Sequence, residues 1–141
     1  MQRDCSKRGY TTDQAVTEST RCLMCNYNIW FDGFRCVLCG ACADVCPVGI
    51  DIPAFIQKIA EKHFHGAYDV ITDTNLLPAV CGRVCPQENQ CEGVCTVGDS
   101  LEPVAIGRLE RFVGDMAIRE GWVNLPYIEP SGFRVGIVGS G

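Results

Sequence analysis

The sequence has little basic charge and no cluster of Lys and Arg. Among its 141 residues, 12 Lys and Arg stand against 17 Asp and Glu, which gives a formal net charge of −5. Proteins that bind the phosphate backbone of nucleic acids need clustered basic residues to attract it. We therefore do not expect a nucleic-acid-binding function.

Long apolar runs are also absent. No stretch approaches the roughly 20 apolar residues that cross a bilayer. Residues 1–8 lead into polar sequence and lack the apolar segment of a signal peptide. We expect a cytoplasmic protein without membrane insertion, in a reducing compartment.

Against this background the content of 11 cysteines needs an explanation. In a reducing compartment such a density favours metal binding over disulfides, and the odd count points the same way. Histidine is scarce. His63 and His65 flank Phe64 near a predicted helix end, where we expect surface or capping roles.

The first cysteine block contains a spacing with a specific meaning. Cys36, Cys39, Cys42 and Cys46-Pro47 follow the pattern C-x2-C-x2-C-x3-C-P of bacterial ferredoxins. Three thiolates two residues apart can surround one 4Fe-4S cube, whereas the fourth points towards a second cube. The spacing therefore predicts that Cys46 ligates a different cluster from the other three.

Zinc is the alternative metal for this block. Structural zinc often uses two separated C-x2-C pairs. Cys22 and Cys25 could form such a site with Cys36 and Cys39. That site would leave Cys42 and the whole second block without a role, so we favour iron–sulfur clusters.

The second block does not repeat the ferredoxin run. Its cysteines follow the spacing C-x3-C-x5-C-x3-C: Cys81, Cys85, Cys91 and Cys95. A simple ferredoxin fold is therefore not expected, and helices are predicted to carry the scaffold. One helix is predicted near residues 10–18, capped by Thr11 or Thr12, and another from an N-cap at Asp51 to a break at Gly66.

A further helix is predicted from Pro103 to about Gly121, and it carries Glu110 among apolar residues. No basic residue lies three or four positions from Glu110 to pair with it. A carboxylate on an apolar face is costly unless it is paired or bound to metal. Metal ligation, a salt bridge to a distant residue such as Arg83, and exposure at the helix edge all stay open.

Four segments resemble one protein family: 21–25 (RCLMC), 46–60 (CPVGIDIPAFIQKIA), 77–95 (LPAVCGRVCPQENQCEGVC) and 102–115 (EPVAIGRLERFVGD). They are similar to the N-terminal iron–sulfur domain of the glutamate synthase small subunit. The same domain occurs in the large subunit of ferredoxin-dependent NADPH oxidoreductases and in dihydropyrimidine dehydrogenase. The resemblance implies a mainly α-helical domain that holds two 4Fe-4S clusters and precedes FAD-binding and NAD(P)-binding domains.

The resemblance also implies ligands for the two clusters. Cluster two would be held by three cysteines and a carboxylate: Cys46, Cys85, Cys91 and Glu110. The family has Glu or Gln at the position of Glu110. Cluster one would be held by Cys95 and three cysteines upstream of Cys46. Cys81 matches a family cysteine that is not usually a ligand, and we expect it to be a small buried residue.

This sequence departs from the family in its first block, because residues 26–35 are inserted between two cysteine pairs. Two ligand sets for cluster one stay open: Cys22, Cys25, Cys42 and Cys95, or Cys36, Cys39, Cys42 and Cys95. We prefer the second set, because its close spacing encloses a cube without a long loop. The remaining pair could be vestigial or could form a third metal site with Cys5 or Cys81.

The last residues, 133–141 (FRVGIVGSG), read as a strand that enters a glycine turn. In the family a dinucleotide fingerprint follows the iron–sulfur domain, and Gly139 and Gly141 would be its first two glycines. The third glycine, the helix N-terminus that binds pyrophosphate and the acidic residue for the ribose are absent. We therefore do not expect this chain by itself to bind FAD.

These features predict an N-terminal lead and helix, an iron–sulfur domain, a linker, and the first strand of an incomplete Rossmann-type unit: 1–20, 21–125, 126–132 and 133–141. The expected role is electron transfer between a NAD(P)H-linked flavin and another redox centre, without catalysis by this chain alone. FAD and NAD(P) are expected on a missing or partner flavoprotein domain, with a further redox subunit. The alternatives are a free-standing ferredoxin-like carrier and a zinc-binding interaction module.

Overall fold

The computed structural model describes residues 9–20, 40–99, 101–124, 129–134, 136, 138 and 139. These residues are mainly helical, as predicted, and none of them forms a β-strand. The α-helices follow in this order: α1 Thr12–Ser19, α2 Ala41–Asp44, α3 Ile52–Ala60, α4 Phe64–Thr72, α5 Pro78–Val84 and α6 Ile106–Glu120. Short 3-10 turns lie at Gln87–Asn89 and Thr96–Asp99.

The first helix begins where its capping residues predict. The Gln14 backbone N–H donates to Thr11 Oγ1 at 3.3 Å, and the Thr11 N–H donates to Gln14 Oε1 at 2.9 Å. This reciprocal pair satisfies two backbone donors that a helix start leaves without partners. Ala15 is fully buried, and α1 packs against α3 and α6.

Helix α3 has the predicted start but not the predicted end. The Ala54 N–H donates to the N-cap Asp51 Oδ1 at 3.1 Å. The helix ends at Ala60, and the chain turns through Lys62, which has a φ of 60°. The predicted break at Gly66 is wrong, because Gly66 lies inside the first turn of α4. There the ring of His63 leaves no room for a β-carbon.

Helices α5 and α6 share the most extensive contact between helices of the described residues. Two glycines allow their backbones to touch. A β-carbon at Gly82 would lie 2.5 Å from the Arg111 backbone nitrogen, and one at Gly114 would collide with the backbone of Ala79. This close approach brings α5, which contains Cys81, against the helix that carries Glu110.

The start of α6 lies at Ile106, three residues after the predicted start at Pro103. Its first turn is stabilised by two carboxylates from other parts of the chain, since the Ala105 N–H donates to Glu18 Oε1 at 2.8 Å and the Gly107 N–H donates to Glu92 Oε1 at 2.9 Å. Negative groups are favourable at a helix N-terminus. The predicted end is confirmed, because Gly121 closes α6 with a φ of 70°.

The core is apolar and joins α1, α3, α4 and α6. The ring of Phe64 meets the ring of Phe112 edge to face at a centroid distance of 5.5 Å. After α6, Trp122 packs against His65 and Tyr68 of α4. None of the helices formed by the described residues is long and apolar enough to cross a membrane.

The predicted strand from Phe133 to Val138 stays a prediction. Its described residues are exposed and form no strand, and residues 135 and 137 lie outside the described part.

Candidate functional site

The described part of the chain contains six of the cysteines, and none of these six forms a disulfide: Cys42, Cys46, Cys81, Cys85, Cys91 and Cys95. Cys5, Cys22, Cys25, Cys36 and Cys39 lie outside the described residues. The choice between the two ligand sets of cluster one, and the third metal site, therefore stay predictions. Of the two tail glycines, Gly139 is described and exposed, and Gly141 lies outside the described part.

The remaining candidate ligands come from three parts of the fold: the region of α2, α5 with the loop after it, and α6. Cys42 lies on the short helix α2, and Cys46 follows its C-cap residue, with its N–H donating to Ala43 O at 3.1 Å. Cys85 is the C-cap residue of α5, and its N–H donates to Cys81 O at 3.0 Å.

The loop that carries Cys91 is folded around the carbonyl of Gln87. Three backbone N–H groups donate to this oxygen, from Gln90, Glu92 and Gly93, at 2.9 to 3.1 Å. The Gln87 side chain is buried, and its Nε2 donates to Cys81 O at 3.1 Å. Gln87 therefore ties the loop after Cys85 back onto α5, which fixes where Cys91 lies.

The surroundings of Cys85 bring α2, α5 and α6 together. Burial raises the pKa of the Cys85 thiol to about 11, with further increases from neighbouring Cys81, from the carboxylate of Glu110 and from Cys46. Charges raise a thiol pKa only when they lie nearby. Cys46 and Glu110 thus lie near enough to Cys85 for their charges to act on it, and their ligation of one cluster stays a prediction.

Cys91 approaches the same carboxylate from the loop side. Its side chain is 8% exposed, and burial raises the pKa of its thiol to about 12, with contributions from Glu92, Glu110 and Cys42. Glu110 is therefore a neighbour of Cys85 and of Cys91. The charge of Cys42, which was predicted for cluster one, also acts on Cys91.

Glu110 is buried, with 6% of its surface exposed. Burial raises the pKa of its carboxyl from 4.5 to about 7, although a hydrogen bond from Asn75 Nδ2 to Oε1, 2.8 Å long, opposes that shift. No cationic side chain of the described residues forms a salt bridge with it. The burial of Glu110 excludes simple exposure at the helix edge.

A salt bridge between Glu110 and Arg83 is also excluded. Arg83 instead pairs with Asp115, with 2.7 Å between Nη1 and Oδ1. Both side chains of this pair are well exposed and lie at the surface. The buried carboxylate thus keeps only a neutral hydrogen-bond donor, the amide of Asn75.

The thiols and the carboxylate predicted for cluster two fit the donor set of an iron–sulfur cluster: Cys46, Cys85, Cys91 and Glu110. Thiols with raised pKa values hold their protons in the absence of metal, and iron would replace those protons and balance the charge of the thiolates and of Glu110. Among the described residues, no three His, Cys, Asp or Glu side chains are grouped closely enough for a single metal ion. A 4Fe-4S cube makes a different demand, since each of its four ligands binds a different iron.

Sequence reasoning missed two residues of this site, Asn75 and Gln87. Both are buried polar side chains, with 5% and 1% of their surface exposed. The only signal was their position, since Gln87 follows Cys85-Pro86 and Asn75 lies three residues before Pro78, and it did not distinguish them from ordinary loop residues. Cys81, predicted to be small and buried, is half-buried, and its Sγ lies 3.5 Å from Asn75 Oδ1.

Comparison with known proteins gives consistent matches. Residues 28–122 match the family model described as dihydropyrimidine dehydrogenase domain II, 4Fe-4S cluster. The chain is 40% identical over 110 residues to the glutamate synthase [NADPH] small chain of Escherichia coli K12, which covers 76% of this chain and 23% of that protein. It is 35% identical over 133 residues to the NAD-dependent dihydropyrimidine dehydrogenase subunit PreT of the same organism, which covers 94% of this chain and 29% of PreT.

A third match is the glutamate synthase [NADH] of Saccharomyces cerevisiae, which is 39% identical over 112 residues and is covered over 5% of its length. This chain therefore spans less than a third of the length of each of these curated relatives.

Proposed function

Because the chain belongs to the family described as dihydropyrimidine dehydrogenase domain II, 4Fe-4S cluster, we propose that it relays electrons between a NAD(P)H-linked flavin and another redox centre. The chain is an iron–sulfur domain of the kind found in oxidoreductases. The names of its relatives include both NADPH and NAD, which supports a nicotinamide nucleotide as the ultimate electron donor or acceptor. We place FAD and the nucleotide on a flavoprotein domain or subunit, and the other redox centre on a further subunit.

The observation that supports this proposal is that the buried carboxylate of Glu110 lies within electrostatic reach of both Cys85 and Cys91, and that Cys46 lies within electrostatic reach of Cys85. These are the four residues proposed to hold cluster two. Two of them come from the second cysteine block, one from the first and one from α6, so the helix packing assembles a site that no single segment contains.

We propose a second cluster next to it, held by Cys42 and Cys95 with Cys36 and Cys39. Both described members of this set are half-buried and pack against the apolar core. A 4Fe-4S cluster supplies one-electron transfer when it is bound. The chain's own residues hold it as thiolates, exclude water through burial and donate hydrogen bonds, which together set the reduction potential.

The proposed segments follow from this assignment. The iron–sulfur domain covers residues 21–125, a linker covers 126–132, and residues 133–141 begin a dinucleotide-binding unit that needs more sequence to bind FAD.

A redox titration tests the proposal. The anaerobically prepared chain should be reduced by dithionite in one-electron steps that are visible by EPR. It should not be reduced by NADPH or NADH alone, but should be reduced when a NAD(P)H-dependent flavoprotein is added in catalytic amounts. A chain without any reducible centre, or one that NADPH reduces directly, would contradict the proposed relay.

A further inference from the structure

Asn75 connects the carboxylate of Glu110 to the start of α5. It is buried and lies between α4 and α5, and its Nδ2 donates to Glu110 Oε1 at 2.8 Å. Its Oδ1 accepts from the Leu77 N–H at 3.0 Å and lies 3.5 Å from Cys81 Sγ. One amide therefore contacts the proposed ligand and the helix that leads to Cys85.

The orientation of this amide is fixed by chemistry. A backbone N–H can only donate, so the atom facing Leu77 must be the oxygen. The amide nitrogen must then face Glu110, where it meets an acceptor. Because Leu77 is the N-cap residue of α5, the same hydrogen bond holds Asn75 in register with α5.

The Asn75 amide that donates to Glu110 is also neutral, and this matters if the Glu110 carboxylate binds iron. A Lys or Arg in this place would balance the charge of Glu110 and compete with a metal for it. An amide holds one oxygen without supplying a charge, and Oε2 has no hydrogen bond to any described residue. The carboxylate is thus oriented but not neutralised.

We propose that Asn75 is a positioning residue for cluster two, which holds Glu110 by Oε1 and so presents its carboxylate to iron. This inference rests on the proposed assignment of Glu110 as a ligand. It goes beyond that assignment, because it names the residue that orients the ligand.

Two substitutions separate the contacts of Asn75. Asn75→Asp keeps an oxygen for the Leu77 N–H but removes the donor to Glu110. Asn75→Ala removes both contacts without adding charge. Asn124→Asp is a matched control, because Asn124 Nδ2 donates to Asp69 Oδ1 at 2.6 Å, a contact between Asn and a carboxylate that involves none of the proposed ligands.

Each variant is purified anaerobically, and EPR spectra of the reduced protein are recorded with a redox titration. We expect Asn75→Ala and Asn75→Asp to change the EPR signal and the midpoint potential of one cluster, with the signal of the other unchanged. Asn124→Asp should leave both signals as they are in the unsubstituted chain. If Asn75→Ala does not fold, Asn75→Asp supplies the EPR comparison.

The decisive comparison repeats Asn75→Ala, or Asn75→Asp if Asn75→Ala does not fold, in a Glu110→Ala background. If Asn75 acts through Glu110, its substitution causes no further change there, since coupled residues give non-additive effects. An equal spectral change in both backgrounds, or no change in either, would overturn the inference. If Glu110→Ala alters the spectrum and the Asn75 variants do not, only the inference fails, whereas an unaltered Glu110→Ala spectrum removes the ligand assignment and the inference with it.

Discussion

Glu110 is the residue on which the interpretation of the site depends most. The apolar residues one turn away on either side favour the inner face of α6, but the sequence left exposure at the helix edge open, and the structure shows that Glu110 is buried. Its hydrogen bond to Asn75, 35 positions away, could not be predicted, because periodicity describes a helix face and not what packs on it. The structure removes the salt bridge to Arg83 and exposure at the helix edge as explanations, and metal ligation by Glu110 stays a prediction.

Substitution of Glu110 should affect one cluster only. Glu110→Ala removes the carboxylate, so we expect an altered EPR signal for cluster two and loss of part of its iron. Glu110→Gln keeps an oxygen that can ligate and should retain both clusters, with a changed potential for cluster two. EPR spectra and a redox titration measure the signal and potential of each cluster, and the iron content of each variant measures the loss of iron.

Arg83→Gln is the control for that experiment. It breaks the exposed pair with Asp115, and such surface pairs contribute only about 0–1 kcal/mol. It should leave both EPR signals unchanged. If Glu110→Ala gives the same spectrum as the unsubstituted chain, Glu110 is not a ligand.

Among the elements, α5 and α6 determine the geometry of the site. Helix α6 was predicted from its long apolar pattern and its glycine end, although its start was placed three residues too early. Helix α5, Pro78–Val84, was not predicted as a helix, because its seven residues are too few for a clear periodicity. The glycine contacts between the two helices leave no sequence signal until the partner backbone is known.

The contact at Gly82 predicts a specific effect of adding one methyl group. In Gly82→Ala the new β-carbon would meet the backbone of Arg111, so the helices must separate. We expect a loss of about 1–3 kcal/mol in the free energy of unfolding, as for overpacked cores, together with a changed EPR signal for cluster two. Anaerobic denaturant unfolding measures the first effect.

Gly98→Ala is the matched substitution, because its β-carbon would lie 3.5 Å from Pro103 Cβ, an ordinary contact. It should change the free energy of unfolding by less than about 1 kcal/mol. If Gly82→Ala and Gly98→Ala lowered the free energy of unfolding equally, that result would contradict the role assigned to the close packing of α5 and α6.

For the whole molecule, the family and the helical class could be predicted from the sequence, and both are confirmed. The spacing of the first cysteine block separates Cys46 from the three cysteines before it. In the structure the charge of Cys46 acts on Cys85, which belongs to the second block. The cysteine spacing could not show which cysteines lie near which residues of α6. Those contacts depend on how the helices pack and not on distance along the chain.

The central claim is that this chain holds two 4Fe-4S clusters, and the most direct test is the amount of iron and acid-labile sulfide per chain. Anaerobically purified and reconstituted protein should contain about eight iron and about eight sulfide per chain, with negligible zinc. About four of each would contradict the second cluster. Zinc without sulfide would contradict the whole account and leave an interaction module in place of an electron relay.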